Sequence, residues 1–452
     1  MVRTRPFRLR LDAPIVTAAA FVLVATYVIA AFRQTTYEVF GTFLLLPLLV
    51  LVSLPILARQ AKRENDRQLF QLLCVALAVK LGGTLLRYYF TRDVYLGVAD
   101  ATVYHQFGIE LSERFRAGVF DTGLASLTST DFIRFMTGVV ETVTGPTMLG
   151  AFLVFSWLGY WGLFLFYRAF VIAVPMGRNR SYALLLFFLP TLVFWPSSIG
   201  KESWMVFTLG IAALGAAHVL TRTKLRGLAL ITLGLWLAAI VRPHIAGIFA
   251  IALAVAFLLR RWRSAEEGKR LAGKVLLLVA IVVFAVFFSI WTDRYLKQKG
   301  IETARGAAAV FEQAEDRTTQ GGSEFSQTAL ESPGRAPIAI LTVLFRPLPF
   351  EARNAQAMLS ALESLFLIGI SIVRFRWIGS AFRSMRVMPY VGCAIGYVVL
   401  FIFAFSGIAN FGLLVRQRAQ VLPFYLVLLA IPPLTNRGHE PVDVDRATGR
   451  PA

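Results

Sequence analysis

The chain reads as an all-α, polytopic membrane protein with about twelve transmembrane helices, plus an extracytoplasmic surface helix and a re-entrant segment. Three observations lead there. Hydrophobic residues make up 57% of the 452 and charged residues 16%, with a mean hydropathy of +0.66, a balance foreign to soluble globular chains. Apolar runs close to the length that crosses a bilayer recur from one end to the other. Basic residues cluster on alternate connections between those runs, as the positive-inside rule requires. The net charge of +20 therefore belongs to loops that set topology, and no nucleic-acid partner is expected.

Taken in order, residues 1–12 carry Arg3, Arg5, Arg8 and Arg10 and form a basic cytoplasmic N-terminus. No small-residue cleavage site follows cleanly, so the next apolar run is read as a retained first span. Spans are expected near 13–32, 38–58, 68–90, 147–172, 182–196, 202–220, 226–241, 244–260, 274–291, 355–373, 388–406 and 418–434. Together they form one transmembrane domain over 13–434, interrupted by extracytoplasmic loops at 91–146 and 292–354. Residues 435–452 are polar and expected to be a disordered cytoplasmic tail. Cys74 and Cys393 each lie inside an apolar run, which indicates neither a disulfide framework nor a metal cluster.

Placing the N-terminus in the cytoplasm puts every strong basic cluster on that side: Arg59 to Arg67, Arg178 with Arg180, Arg222 to Arg226, Arg260 to Arg270, and Arg374 to Arg386. Both termini are then cytoplasmic, and the expected location is the cell (inner) membrane. The even-numbered spans run from outside to inside, so their dipole-positive N-terminal ends face outward. Cations stand beside four of those ends, at Lys201, Arg242, Arg346 with Arg353, and Arg416 with Arg418. Converging, they would make an anion pocket at the outer leaflet.

The stretch FWPSSIGKES, Phe194 to Ser203, sets Lys201 and Glu202 between two runs otherwise almost free of charge. Ionised groups at membrane depth are costly and usually face a cavity, a partner or a ligand. Pro196 disfavours helix before it, and Ser197 or Ser198 suits the cap of the helix that follows. The new helix start offers unpaired N–H groups to an anion. Arg242-Pro243-His244 marks another outer turn, and LFRPLPFE (344–351) is a re-entrant or surface piece whose two prolines forbid a continuous helix between Arg346 and Glu351. The polar loop 292–336 is expected to be mobile.

Loop 91–146 adds the carboxylates. Val103, Phe107, Leu111 and Phe115 recur every four residues, the stripe of a helix lying along the membrane surface. Asp100 falls at its N-cap position, Tyr104 one turn on, His105 beside it, and Asp93 upstream. A carboxylate at the rim of a basic pocket suits a general base for a sugar hydroxyl.

The string Asp100-Ala101-Thr102-Val103-Tyr104 after a span, the surface helix that follows, and the break from Pro196 to Glu202 resemble the first extracytoplasmic loop of GT-C superfamily glycosyltransferases. The outward-facing arginines are similar to those of bacterial O-antigen polymerases. The resemblance implies a catalytic base at Asp100, with Asp93 as second choice, and a polyprenyl-(pyro)phosphate-linked sugar donor. It implies pyrophosphate contacts from Arg242, Arg346, Arg416 and Arg418, and the reading of the outer segments themselves adds Tyr104, His105, Lys201, Glu202, His244 and Glu351 as candidate substrate-binding residues. A glycan or lipid acceptor, membrane lipids as neighbours, and a role in cell-envelope polysaccharide assembly go with it. No paired-aspartate motif secures a metal, so no cofactor is expected, although the chemistry is compatible with a divalent ion.

Plainer readings stand beside these. Asp100 serves equally as a helix cap, Lys201 and Glu202 as interfacial charges that snorkel to water, and Arg242-Pro243-His244 as a tight turn against headgroups. His105 and His244 have no third ligand near them in sequence to argue for zinc. A basic channel without a base would make the protein a transporter or flippase of an anionic lipid or solute, though the two halves show no internal repeat.

Overall fold

The structure is a computed structural model that describes residues 37–124, 126–222, 225–260, 336–352, 354–408 and 410–433. The expected spans 13–32 and 274–291, loop 292–336 as far as residue 335, Arg353 and the tail 435–452 lie outside those residues. Among the described residues the fold is helical throughout, with no strand.

Helix α1 (Tyr37–Glu64) and α2 (Arg67–Tyr89) form a tight hairpin. Asn65 takes the left-handed conformation (φ 52°), and the Asp66 carboxylate caps α2 by accepting from the Gln68 and Leu69 amides at 2.8 and 3.1 Å. At its far end α2 widens into a π-helical turn, Phe90–Val94. Two helices outside the apolar set follow, α3 (Asp100–Arg116) and α4 (Ser129–Thr144), packed along each other. Then come α5 (Met148–Ala173), α6 (Asn179–Phe188), the short α7 (Pro190–Phe194), α8 (Lys201–Arg222), α9 (Leu225–Val241) and α10 (Pro243–Leu259). After the next described residues begin, α11 (Ala336–Phe345), α12 (Ala355–Val373), α13 (Phe375–Ser384), α14 (Pro389–Phe405), α15 (Phe411–Arg418) and α16 (Leu422–Leu428) complete the bundle.

Among the described residues five helices are long and apolar enough to cross a membrane: Leu45–Glu64, Arg67–Val94, Met148–Ala173, Lys201–Thr221 and Gln356–Val373. A sixth is added if α13 and α14, bent by 116° at their junction, count as one broken span. Helices α9, α10 and α11 are apolar but shorter. The run expected as one span over 182–196 is two helices, because Pro190 has no N–H and holds Leu189 extended. The run over 418–434 likewise contains only the end of α15 and the seven-residue α16.

Helices α5 and α8 make the central pair, with α9 against α8 and α14 against α10. The central crossing is backbone on backbone: a Cβ on Gly210 would stand 2.4 Å from the Gly162 carbonyl oxygen, and one on Gly162 would stand 2.4 Å from that of Val206. Between helices already in an apolar medium such close approach supplies the attraction that water exclusion cannot.

Candidate functional site

The segment 195–200 between α7 and α8 is held from below. Lys80 of α2, fully buried, donates to the carbonyls of Leu192 and Val193 at 2.7 and 3.3 Å, so the end of α7 finds its partners inside the bundle. Ser197 donates to Val193 O, Ser156 to the Ser197 hydroxyl at 3.2 Å, and Ser203 to Ser198 O at 2.9 Å. The chain crosses Gly159 of α5 where a Cβ would lie 2.7 Å from Pro196 O. A fixed bend results, and it aims Trp195, Ser198, Ile199 and Glu202 into one cavity of about 740 Å³.

Four helices begin at this cavity. Asp100 stands at the first position of α3, Glu202 in the first turn of α8, Asn354 at the cap of α12, and Asn410 at the cap of α15. The two asparagines cap their helices through Ala357 N (2.8 Å) and Leu413 N (3.1 Å). Helix starts gathered round one space give it a positive potential before any side chain is counted.

The side chains form a linked series. Arg416 donates to Asp100 Oδ2 at 3.0 Å and reaches Glu202 Oε1 at 3.4 Å; Arg242 meets the same Glu202 oxygen at 3.0 Å and donates to Gln417 Oε1 at 2.8 Å. Glu202 is only 4% exposed, whereas 60% of the Asp100 side chain is open. The carboxylates of Glu202, first, and Asp100 hold the Arg416 guanidinium above its ordinary pKa, so it keeps its charge at any pH the fold survives. Across the cavity Arg346 forks onto Glu351, whose other oxygen also accepts from Leu348 N at 2.8 Å, and the guanidinium lies 5.1 Å from the Phe411 ring centre. Counting Arg242 behind the wall, four guanidiniums face three carboxylates.

The fourth of them is Arg87, which sequence reading passed over. It sits on the last turn of α2, 7% exposed, and lines the cavity inside an aromatic cage: its Cζ is 4.8 Å from the Trp195 ring centre, 4.9 Å from Phe194 and 5.7 Å from Tyr95. Its Nε and Nη1 have no hydrogen-bond partner among the described residues. A buried guanidinium with unused donors is costly unless something anionic comes to it. The only sequence signal was an arginine near the end of an apolar run, which is also what an interfacial anchor looks like. The π-helical turn beyond it brings Tyr95 back, and the Tyr95 hydroxyl donates to Gln356 of α12.

The other expected site residues go elsewhere. Lys201 opens α8 but donates to the Ser129 and Thr130 hydroxyls at 3.1 and 2.9 Å, fastening α4. His105 pairs with Glu141 of α4 at 2.6 Å, and burial pushes that carboxyl above the usual carboxylate range in spite of the imidazole. Tyr104 is buried beneath Asp100 without lining the cavity; burial, then the Asp100 and Glu202 charges, push its hydroxyl up to about 12. His244 stands beside Phe405 with ring centres 6.0 Å apart. Arg418, fully buried, donates to Leu344 O and Ser364 Oγ at 2.9 and 3.1 Å, tying off the end of α11. Asp93 bonds its neighbour Arg92 at 3.3 Å. The N-cap of α3 is Ala99 and not Asp100, which leaves the Asp100 carboxylate to Arg416. The apolar stripe is also placed differently: Leu111 and Gly108 pack on α4, the Arg134 guanidinium of α4 lies over the Phe107 ring at 4.0 Å, and Val103 stays exposed.

Among the described residues no group of three or more His, Cys, Asp and Glu side chains is arranged to hold a metal ion. No family model matches the chain, and no curated protein or solved structure is significantly similar to it.

Proposed function

We propose that the cavity binds the phosphate of a membrane-embedded, lipid-linked sugar and that the protein is an integral-membrane glycosyltransferase or polysaccharide polymerase. In this reading about twelve spans cross the cell (inner) membrane with both termini cytoplasmic, the chamber opens outward, and the donor is a polyprenyl-(pyro)phosphate sugar used in cell-envelope assembly. The observation that carries the reading is the pairing, in one chamber, of a buried arginine with unused donors, Arg87, and an open carboxylate, Asp100.

The steps follow from charge. The donor phosphate binds Arg87 and competes with Asp100 for Arg416, so loading the donor releases the carboxylate from its guanidinium. The released Asp100 accepts the proton of an acceptor hydroxyl as its oxygen forms a bond to the anomeric carbon. The bond from that carbon to the phosphate oxygen breaks, and the electron pair leaves with the phosphate. Negative charge grows on the phosphate at that moment, where fixed guanidiniums and helix starts lower the barrier without reorganising.

The test is sugar transfer from a defined polyprenyl-phosphate donor by the full chain reconstituted in vesicles. Asp100→Asn should reduce turnover by about a hundredfold or more, the range expected for loss of a positioned base, with donor binding intact. Turnover that persists in Asp100→Asn removes the assigned base. Donor translocation without any transfer in the wild-type chain would favour a carrier.

A further inference from the structure

The chamber is followed along α12 by two further spaces, each sharing wall residues with the one before. A neck of about 80 Å³ shares Trp195, Gln356 and Ser360 with it. The neck in turn shares Pro190, Leu359 and Glu363 with a crevice of about 370 Å³ between α6–α7 and α12. The path has a simple origin in the sequence. Gln356, Leu359, Ser360, Glu363 and Phe366 recur at the spacing of one face of α12, and the break at Pro190 opens the opposite wall. Polarity changes along it, from arginines and carboxylates in the chamber to Leu184, Leu185, Phe188 and Leu362 in the crevice. Leu184 of α6 and Leu359, Leu362 and Phe366 of α12 are each about half exposed there, and α12 is only 22% buried over its apolar window. One carboxylate interrupts the apolar lining: Glu363 is buried, and its Oε2 already accepts from the Thr191 amide at 2.5 Å.

We propose that this crevice holds the hydrocarbon chain of the amphiphile whose phosphate occupies the chamber, and that the neck admits a single chain. The proposal rests on the reading of the chamber as a phosphate site. Three features select the occupant: an apolar slot on an exposed face of α12, walls shared in series with the chamber that holds a buried cation, and an intervening space of only about 80 Å³ against about 370 Å³ for the crevice. A lipid tail gains little from leaving other lipid tails, so the slot contributes position and selectivity for one chain, while the anionic head supplies the affinity.

The test uses hexadecyl phosphate carrying a mid-chain diazirine, photolysed with the full chain in phosphatidylcholine vesicles and mapped by peptide mass spectrometry. Labels are expected within 184–190 and 359–366, suppressed by excess hexadecyl phosphate but not by hexadecanol. Leu359→Trp, which fills the neck, should cut this labelling at least fivefold while broadening of the phosphorus resonance of ethyl phosphate, a chainless head, is unchanged. Arg87→Ala should lose both. Labels spread over lipid-facing Leu51, Val75 and Leu258, which are more than half exposed, with ethyl phosphate binding intact, would overturn the crevice and leave the chamber reading standing. Ethyl phosphate left unbroadened by the wild-type chain would overturn the chamber reading, and the tail site with it.

Discussion

Glu202 carries two guanidiniums at once, and replacing it with glutamine exposes what the ion network is worth. Its Oε1 lies 3.0 Å from Arg242 and 3.4 Å from Arg416. At an effective dielectric near 20 each pair attracts by about 5 kcal/mol before desolvation is subtracted. Desolvation has already been met in the native fold, so Glu202→Gln leaves Arg242, whose side chain is 10% exposed, without a counterion. The expected loss is about 3–5 kcal/mol, the range for breaking a buried pair from one side. Asp100→Asn is the internal control: its side chain is 60% exposed, and the loss should stay below about 1 kcal/mol. Equilibrium unfolding in mixed micelles, followed by circular dichroism, reads both. The double variant Glu202→Gln with Arg242→Gln should recover part of the loss, because no buried charge is then orphaned. Equal losses for Glu202→Gln and Asp100→Asn, or no recovery in the double variant, would refute the reasoning.

Other consequences can be read the same way. Lys80→Met strips the Leu192 and Val193 carbonyls of their buried donor and should lower stability by about 1–3 kcal/mol, seen as a lower unfolding midpoint. Gly210→Ala places a Cβ against the Gly162 backbone, which cannot step aside, and should cost about 1–3 kcal/mol, whereas Gly369→Ala, with open space at its Cβ, should be neutral in the same assay. Because burial raises the Glu141 pKa in the fold, its contribution to stability is full below the unfolded value near 4.5 and is lost as pH rises through the higher folded value. Glu141→Gln should therefore compare worst with the wild type at the acid end, and the gap between their melting temperatures should close as pH rises; a gap independent of pH would contradict this.

The apolar runs made the helices legible, and most boundaries fall close to their hydropathy limits: α5, α9 and α10 begin and end within a residue or two of the expected spans. The failures are instructive. Hydropathy adds 182–196 into one window and does not register that Pro190 divides it. The cationic residues were visible as a class, but their direction was not: Lys201 and Arg418 look like Arg416 in sequence, yet the first fastens α4 and the second closes α11. Direction depends on contacts between residues 54 to 316 positions apart, such as Arg418 with Ser364 and Arg416 with Asp100. Arg87 was hidden for the opposite reason, since its meaning lies in the aromatic cage and in two nitrogens without a hydrogen-bond partner among the described residues. Asp100, Glu202, Arg346, Glu351 and Arg416 are brought round one cavity from four separate stretches of chain, with Arg242 behind.

The most direct measurement is the affinity of the reconstituted wild-type chain and of Arg87→Ala for a polyprenyl phosphate, read by native mass spectrometry. Loss of a charge-assisted hydrogen bond to phosphate is worth about 1.5–3 kcal/mol, so affinity should fall by about tenfold to a hundredfold in the variant. Equal affinity in the two chains would mean that the buried guanidinium does not face the phosphate and that the chamber is not the donor site.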